Sequence, residues 1–271
     1  VSGGDVANVP TRRLQEWLFR LMGLPNIRDV PLATKGLMGI PQHFLQDEVL
    51  AGYEAIAMRA REREIEVAIH THVNCAQQVT PLFGRAVRQL LDMGYRAVRN
   101  QGVLLRGVNA TPNQLLELCF MLMGHAKVVP YYFYLCDMIP NVEHWRLALW
   151  EAQDLQMAIM GYLPGFTTPR FICDVPFVGK RWVHMVSSYD RVNGISYWRK
   201  NYRTGIEHDD PEALSREDPD CLAERRTTDC EALCERKLVD QARARLDARE
   251  LLPGEEVLRR VVERDVVGDE D

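Results

Sequence analysis

Apolar residues recur along this chain with two periods, and the periods alternate. From Thr11 to Met22, Leu14, Trp17, Leu18 and Leu21 fall at i, i+3, i+4 and i+7, which predicts an amphipathic helix. A strand is predicted around Ile27–Thr34. A second helix follows over Gln46–Arg61, with Val49, Tyr53, Ile56 and Ala60 as its stripe. Glu66–His72 reads as a strand. Thr80-Pro81 and Thr111-Pro112 each set a capping hydroxyl before a proline at the first helical position. They open helices that run to Gly94 and Met123. Ala97–Leu105, Val128–Tyr134 and Arg170–Val175 read as strands, with a helix over Leu149–Met160. Regular strand–helix alternation predicts a parallel sheet with helices outside it. Right-handed crossovers would curl such units into a partial TIM-like (β/α) barrel, so the expected fold class is α/β.

The rhythm breaks after residue 178, and three domains are expected: a partial barrel over residues 1–178, a hairpin segment over 179–207, and a charged, loosely ordered tail over 208–271. Lys180 to Trp198 reads as two strands joined by a turn near Asn193-Gly194. From Pro211 onward there is no aromatic residue, and Arg, Glu and Asp dominate. That composition is poor in core material and is read as helical but loosely docked, or as partly disordered.

Composition narrows the function classes. With 271 residues, 46% hydrophobic and 26% charged, the chain can bury a sizeable core and is not wholly disordered. A net charge of −5 argues against a broad nucleic-acid face. No apolar run approaches the roughly 18 residues of a membrane span. Seven cysteines, an odd number, read as reduced thiols. The expectation is a cytoplasmic protein that binds a small molecule, with self-association left open. The chain opens Val-Ser-Gly-Gly-Asp with neither Met nor a signal-peptide pattern. Val1 reads as the end of a strand, so the sequence is expected to be a fragment.

In a parallel barrel the chemistry sits at the carboxyl ends of strands. The polar groups there are Gly3-Gly4-Asp5, Thr34-Lys35, His70 and His72, Asn100-Gln101, Tyr134 with Asp137, and Asp174 with Lys180. Glycines before Asp5 allow close backbone approach to a ligand, and the carboxylate can accept from an ammonium; a plain turn is the ordinary alternative. His70 and His72 share one side of a strand and read either as a metal pair or as hydrogen-bonding groups. Lys180, after Gly179, reads as a Schiff-base lysine or as a surface lysine. Asp137 and Asp174 on neighbouring strand ends would suit a cationic group, or would merely cap loops. Cys221, Cys230 and Cys234, spaced C-x8-C-x3-C, match no usual metal pattern.

Five segments occur together in order: VSGGD (1–5), HTHVN (70–74), RNQGVLLRGVN (99–109), VPYYFYLCDMIP (129–140) and ICDVPFVGK (172–180). On these the chain resembles the lysine 2,3-aminomutase family, radical S-adenosylmethionine (SAM) enzymes that also use pyridoxal 5′-phosphate. The resemblance covers about Val1 to Glu207. It implies a radical SAM barrel lacking its first strand unit, and an isomerase that moves an amino group from C2 to C3. It implies that Gly3, Gly4 and Asp5 hold the methionyl part of SAM, and that His72 and Gln101 line the SAM and substrate cavity. Asp137 and Asp174 would bind the side-chain ammonium of a small-molecule amino acid, L-lysine. Lys180 would be the catalytic lysine that carries pyridoxal phosphate.

The chain departs from the family in several places. The C-x3-C-x2-C loop that holds the [4Fe–4S] cluster is absent from this sequence, so no metal ligand is assigned and the chain is expected to be inactive alone. Pro-Phe-Val precedes Gly179-Lys180 where the family has glycines, and Cys75 stands where it has His. The 208–271 segment, with its three cysteines, does not resemble the family. Two other readings stay open: a non-catalytic remnant or half of a split enzyme, and a metal-dependent barrel hydrolase using His70 and His72.

Overall fold

The structure is a computed structural model, and it describes residues 4–137, 140–175, 178–191, 195–198 and 226–228. It divides into two compact units. One comprises Val1–Cys136 with Glu151–Cys173, the other Asp137–Trp150 with Asp174–Asp271.

The first unit is a mixed α/β body of the order expected for a barrel segment. Its strands are β1 (Asp29–Ala33), β2 (Glu66–Thr71), β3 (Val98–Val103), β4 (Val129–Tyr134) and β5 (Arg170–Val175), whose last two residues pass into the second unit. Neighbours pair in parallel and in sequence order, with Ala33 opposite His70, His70 opposite Arg99, and Tyr132 opposite Arg170. Helices α1 (Thr11–Met22), α3 (Asp47–Glu62), α4 (Pro81–Asp92), α5 (Pro112–Ala126) and most of α6 (Leu149–Ile159) alternate with them. A short helix, α2 (Gly36–Gly39), follows β1, and no sequence pattern announced it. The capping hydroxyls act as read: Thr80 accepts from the Phe83 amide and Thr111 from the Gln114 amide.

Side-chain alternation gives the sheet two unlike faces. Val30, Leu32, Val67, Ile69, Val98, Phe133 and Phe171 are buried on one face and form the core with the helices. The α3 stripe of Val49, Tyr53, Ile56 and Ala60 is buried as expected. For α1 the expectation needs correction: the buried row is Leu14, Leu18 and Met22, and Trp17 is 46% exposed. The Arg13 guanidinium lies over the Trp17 ring, 4.9 Å from its centroid, so the indole lies on the solvent side of the helix. The other face of the sheet carries Ala33, His70, Arg99, Gln101, Tyr132 and Tyr134, all only half-buried. A filled barrel interior would place bulky branched residues there. This polar, accessible face suits a ligand instead.

The second unit holds β6 (Gly179–Trp182) and a three-stranded antiparallel sheet of β7 (Ser188–Asp190), β8 (Ile195–Tyr197) and β9 (Arg226–Thr228). The expected hairpin exists as β7–β8, with Tyr189 opposite Ser196. Its first half is broken, however, because Val183–Met185 forms a helical turn between β6 and β7. In the tail, Arg226–Thr228 is a strand paired with β8 rather than part of a helix. The rest of 208–271, including Cys221, Cys230 and Cys234, lies outside the described residues.

Candidate functional site

At the carboxyl edge of the first unit, Asp5 ties the glycine turn to the end of β1. Its Oδ1 accepts from the Ala7 amide at 2.9 Å, and its Oδ2 accepts from the amides of Lys35 at 2.7 Å and Gly36 at 3.0 Å. Burial pushes its carboxyl pKa up. The Thr34 side chain and those three backbone amides outweigh burial and hold it below the ordinary value. Asp5 is therefore an ionised staple as well as a candidate ligand group. Gly4 leaves open space where a side chain would stand, whereas a Cβ on Gly36 would meet the Ala7 methyl at 2.6 Å. Gly3 lies outside the described residues.

The ends of β2 and β3 are bound by side-chain amides. Asn100, fully buried on the helix-covered face, accepts from the Val73 amide at 2.7 Å and donates to the Val73 carbonyl at 3.0 Å. A buried amide without such partners would cost about 1–3 kcal/mol, so this bidentate closure is what makes the position tolerable. Asn109 donates to the carbonyls of Asn74 and Val103, both at 2.9 Å, and accepts from the Leu105 amide at 2.8 Å. Asn74 Oδ1 accepts from the Val103 amide at 2.9 Å, and its Nδ2 meets His72 Nε2 at 3.0 Å. Burial, and then the nearby Lys35 cation, push the His72 pKa down to about 4. His72 is thus an uncharged group at neutral pH. Gln101 is half-buried on the accessible face of β3.

A bulge shapes β4. The β3–β4 register shifts between Asn100 and Gln101, so that Asn100 faces Pro130 and Gln101 faces Tyr132. The extra residue is Tyr131, and its ring stacks on Tyr132 with centroids 3.7 Å apart and a 2.9 Å hydroxyl–hydroxyl hydrogen bond. Regular alternation would have sent these neighbours to opposite faces. The His70 ring lies 5.6 Å from Tyr131, and the Arg99 guanidinium lies over the Tyr131 ring at 5.3 Å.

In the second unit Asp137 and Asp174 both stand at exposed positions, and Asp174 acts on Asp137. Burial first, and then the Asp174 carboxylate, raise the Asp137 pKa, while Arg146 opposes them. Lys180 lies exposed on β6 directly after Gly179, whose φ is +81°.

Sequence reasoning named Asp5, His72, Gln101, Asp137, Asp174 and Lys180. It assigned no work to Asn74, Asn109 or Arg146, and the stacked tyrosine pair was invisible to it. The asparagines stood inside the quoted segments, and clustered Asn at strand ends was the available signal. Among the described residues, no group of three or more His, Cys, Asp or Glu could hold a metal ion. His70 and His72 are part of no such group among the described residues. Also among the described residues, no helix is long and apolar enough to cross a membrane.

Comparison with known proteins finds relatives over about two thirds of the chain. An L-lysine 2,3-aminomutase from Fusobacterium nucleatum is 28% identical over 178 residues, covering 65% of this chain and 39% of the relative. One from Clostridium subterminale is 28% identical over 176 residues, covering 65% of this chain and 40% of the relative. The chain is a homologue of the lysine 2,3-aminomutases. A glutamate 2,3-aminomutase from Clostridioides difficile also matches, 25% identical over 65% of this chain and 39% of the relative. The chain spans about half, or less, of the length of these aminomutases. No protein-family profile matches it.

Proposed function

We propose that this chain carries the SAM-facing rim and the substrate and pyridoxal-phosphate groups of an amino-acid 2,3-aminomutase acting on L-lysine, an isomerase. In such an enzyme SAM with its [4Fe–4S] cluster supplies hydrogen-atom abstraction, and pyridoxal phosphate supplies an electron sink. Gly4 with open space beside it, ionised Asp5 and uncharged His72 fit the first of these groups, with Gly3 and Gln101 assigned beside them. Lys180, at an exposed position on β6, is assigned to the second. The cluster does not fit: the sequence has no C-x3-C-x2-C loop, and no cysteine-containing metal set stands among the described residues. No step is therefore assigned to it on this chain.

The observation that carries the reading is the Asp137–Asp174 pair. The Asp174 carboxylate disfavours the charge of Asp137, and Arg146 opposes it. An ammonium group placed with them removes that repulsion and gains charge-assisted hydrogen bonds. A carboxylate-bearing side chain such as that of glutamate would add a third like charge.

Reduction with borohydride in the presence of pyridoxal phosphate, followed by peptide mapping, tests the assignment. Label is expected on Lys180, with L-lysine diminishing it more than L-glutamate does. Label spread over Lys35 and Lys127 would overturn it.

A further inference from the structure

Two contacts of one side chain fix the hydrogen of another. Asn74 Oδ1 accepts from the backbone amide of Val103 at 2.9 Å, which only an oxygen can do, so the amide of Asn74 has one orientation. Its Nδ2 then faces Nε2 of His72 at 3.0 Å. An amide nitrogen only donates, so Nε2 must accept and the proton of the neutral ring must sit on Nδ1. The backbone of Asn74 is itself fixed: its amide donates to Gln78 Oε1 at 2.7 Å, and its carbonyl accepts from Asn109 at 2.9 Å. Among the described residues no acceptor meets Nδ1, and the ring is half-buried rather than sealed.

We infer that Asn74 locks His72 in the Nδ1–H form and so makes it a fixed, uncharged donor to an acceptor oxygen of the bound ligand. The donor half of this inference rests on the SAM reading of the rim; the lock does not. The chemistry is that of a carboxylate oxygen, as in the methionyl part of SAM, or of a hydroxyl oxygen, as in its ribose. Asn74 is a positioning residue, since it acts through His72. The surroundings agree. Lys35, in the turn after β1, is the charged group that acts on the ring, and Asp5 is taken up by backbone amides. On β3 the accessible face carries Arg99 and neutral Gln101. A protonated ring would set N–H against N–H at Asn74 and add a second cation near Lys35.

Proton–nitrogen correlation spectra of the chain labelled on its histidine rings, with His72 assigned by its loss in His72→Gln, read the tautomer directly. The expected pattern at neutral pH is a protonated Nδ1 and a bare Nε2. Asn74→Asp keeps an oxygen for Val103 and turns the other atom into an acceptor. It should move the proton to Nε2 and lift the His72 titration above about 6.5. A bare Nδ1 or an averaged ring in the unsubstituted chain would overturn the lock, even if the variant fails to fold. An unchanged pattern in a folded Asn74→Asp variant would overturn it too. SAM, methionine and adenosine, added separately, then identify the oxygen. A Nδ1 shift with methionine assigns the carboxylate, and one with adenosine assigns the ribose. No shift with any of the three overturns the donor half and the SAM reading together, while the tautomer reports the lock by itself.

Discussion

The side chain of Asn100 closes a ring of two hydrogen bonds on the backbone of Val73, at 2.7 and 3.0 Å, and so ties the middle of β3 to the chain leaving β2. The bonds are buried. Asn100→Ala should leave one amide and one carbonyl of Val73 unpaired and cost about 2–4 kcal/mol of folding stability. Denaturant unfolding of the chain and the variant measures it, and a loss below about 0.5 kcal/mol would show that the strap is not structural.

Gly102, two residues further along β3, is held by close approach. A Cβ there would stand 2.7 Å from the Phe133 ring and 2.8 Å from the Val73 carbonyl oxygen. The ring could turn, but the carbonyl belongs to the Asn100 strap and cannot retreat freely. Gly102→Ala should therefore cost about 1–3 kcal/mol by overpacking. Combined with Asn100→Ala, the two losses should fall short of additive, because both act through Val73.

The alternation of strands and helices was legible because burial on one face imposes a period, and the helix-covered face of the sheet is apolar enough to show it. Val49, Tyr53, Ile56 and Ala60 followed that rule. Trp17 did not, because an indole can lie on the solvent side under an arginine, and periodicity does not separate it from Met22. The candidate groups Asp5, His72, Gln101, Asp137, Asp174 and Lys180 were legible as polar residues at predicted strand ends and through family resemblance. Asn74 and Asn109 were not, and Asn100 was seen at its strand end without its partner, since what an amide bonds to depends on the backbone of another strand. The Tyr131–Tyr132 stack was hidden by the bulge, which breaks the very alternation that sequence reading assumes. The strand at Arg226–Thr228 takes its partner from β8, and nothing local in that charged stretch signals it.

Asp5 sets an acid limit on the first unit. Its folded pKa lies below the unfolded one, so its contribution is present above the unfolded value of about 3.9 and is lost as pH falls through the folded value. Asp5→Asn would turn an NH2 toward one set of backbone amides. It should cost about 1–2 kcal/mol at neutral pH, the lower end for bonds to a charged group because the side chain is only half-buried. The difference between the chain and the variant should shrink as pH drops below about 4. Unfolding midpoints across an acid pH series check this, and a constant difference would assign the loss to shape rather than charge.

The chain by itself should not form β-lysine. No C-x3-C-x2-C loop is present in its sequence, and radical chemistry of this class needs an iron–sulfur cluster held by three cysteines. Anaerobic incubation with iron, sulfide, SAM, pyridoxal phosphate and L-lysine, followed by product analysis, is the check. Any β-lysine formed would show that the reaction finds its iron elsewhere.

The last expectation separates stability from binding at Asp137 and Asp174. Burial and the Asp174 charge raise the folded pKa of Asp137. The sign is opposite to that of Asp5: any stabilisation is present below the unfolded value of about 3.9 and is lost as pH rises through the folded pKa. Removing the Asp137 charge removes its repulsion with Asp174, so Asp137→Asn should leave stability unchanged or slightly raised. Loop caps would behave the other way, and their loss would lower stability. Binding should move against stability. An ammonium held by two carboxylates makes charge-assisted bonds worth roughly 1.5–3 kcal/mol each. Asp137→Asn or Asp174→Asn should therefore weaken L-lysine by roughly tenfold to a few hundredfold, at about 1.4 kcal/mol per decade. The affinity of L-alanine should stay nearly the same, because it has no side-chain ammonium. Displacement of pyridoxal phosphate from Lys180 by lysine, glutamate and alanine, followed in the chain and both variants, gives the ranking. A ranking that both substitutions leave intact would end the substrate role of this pair, whatever happens to stability.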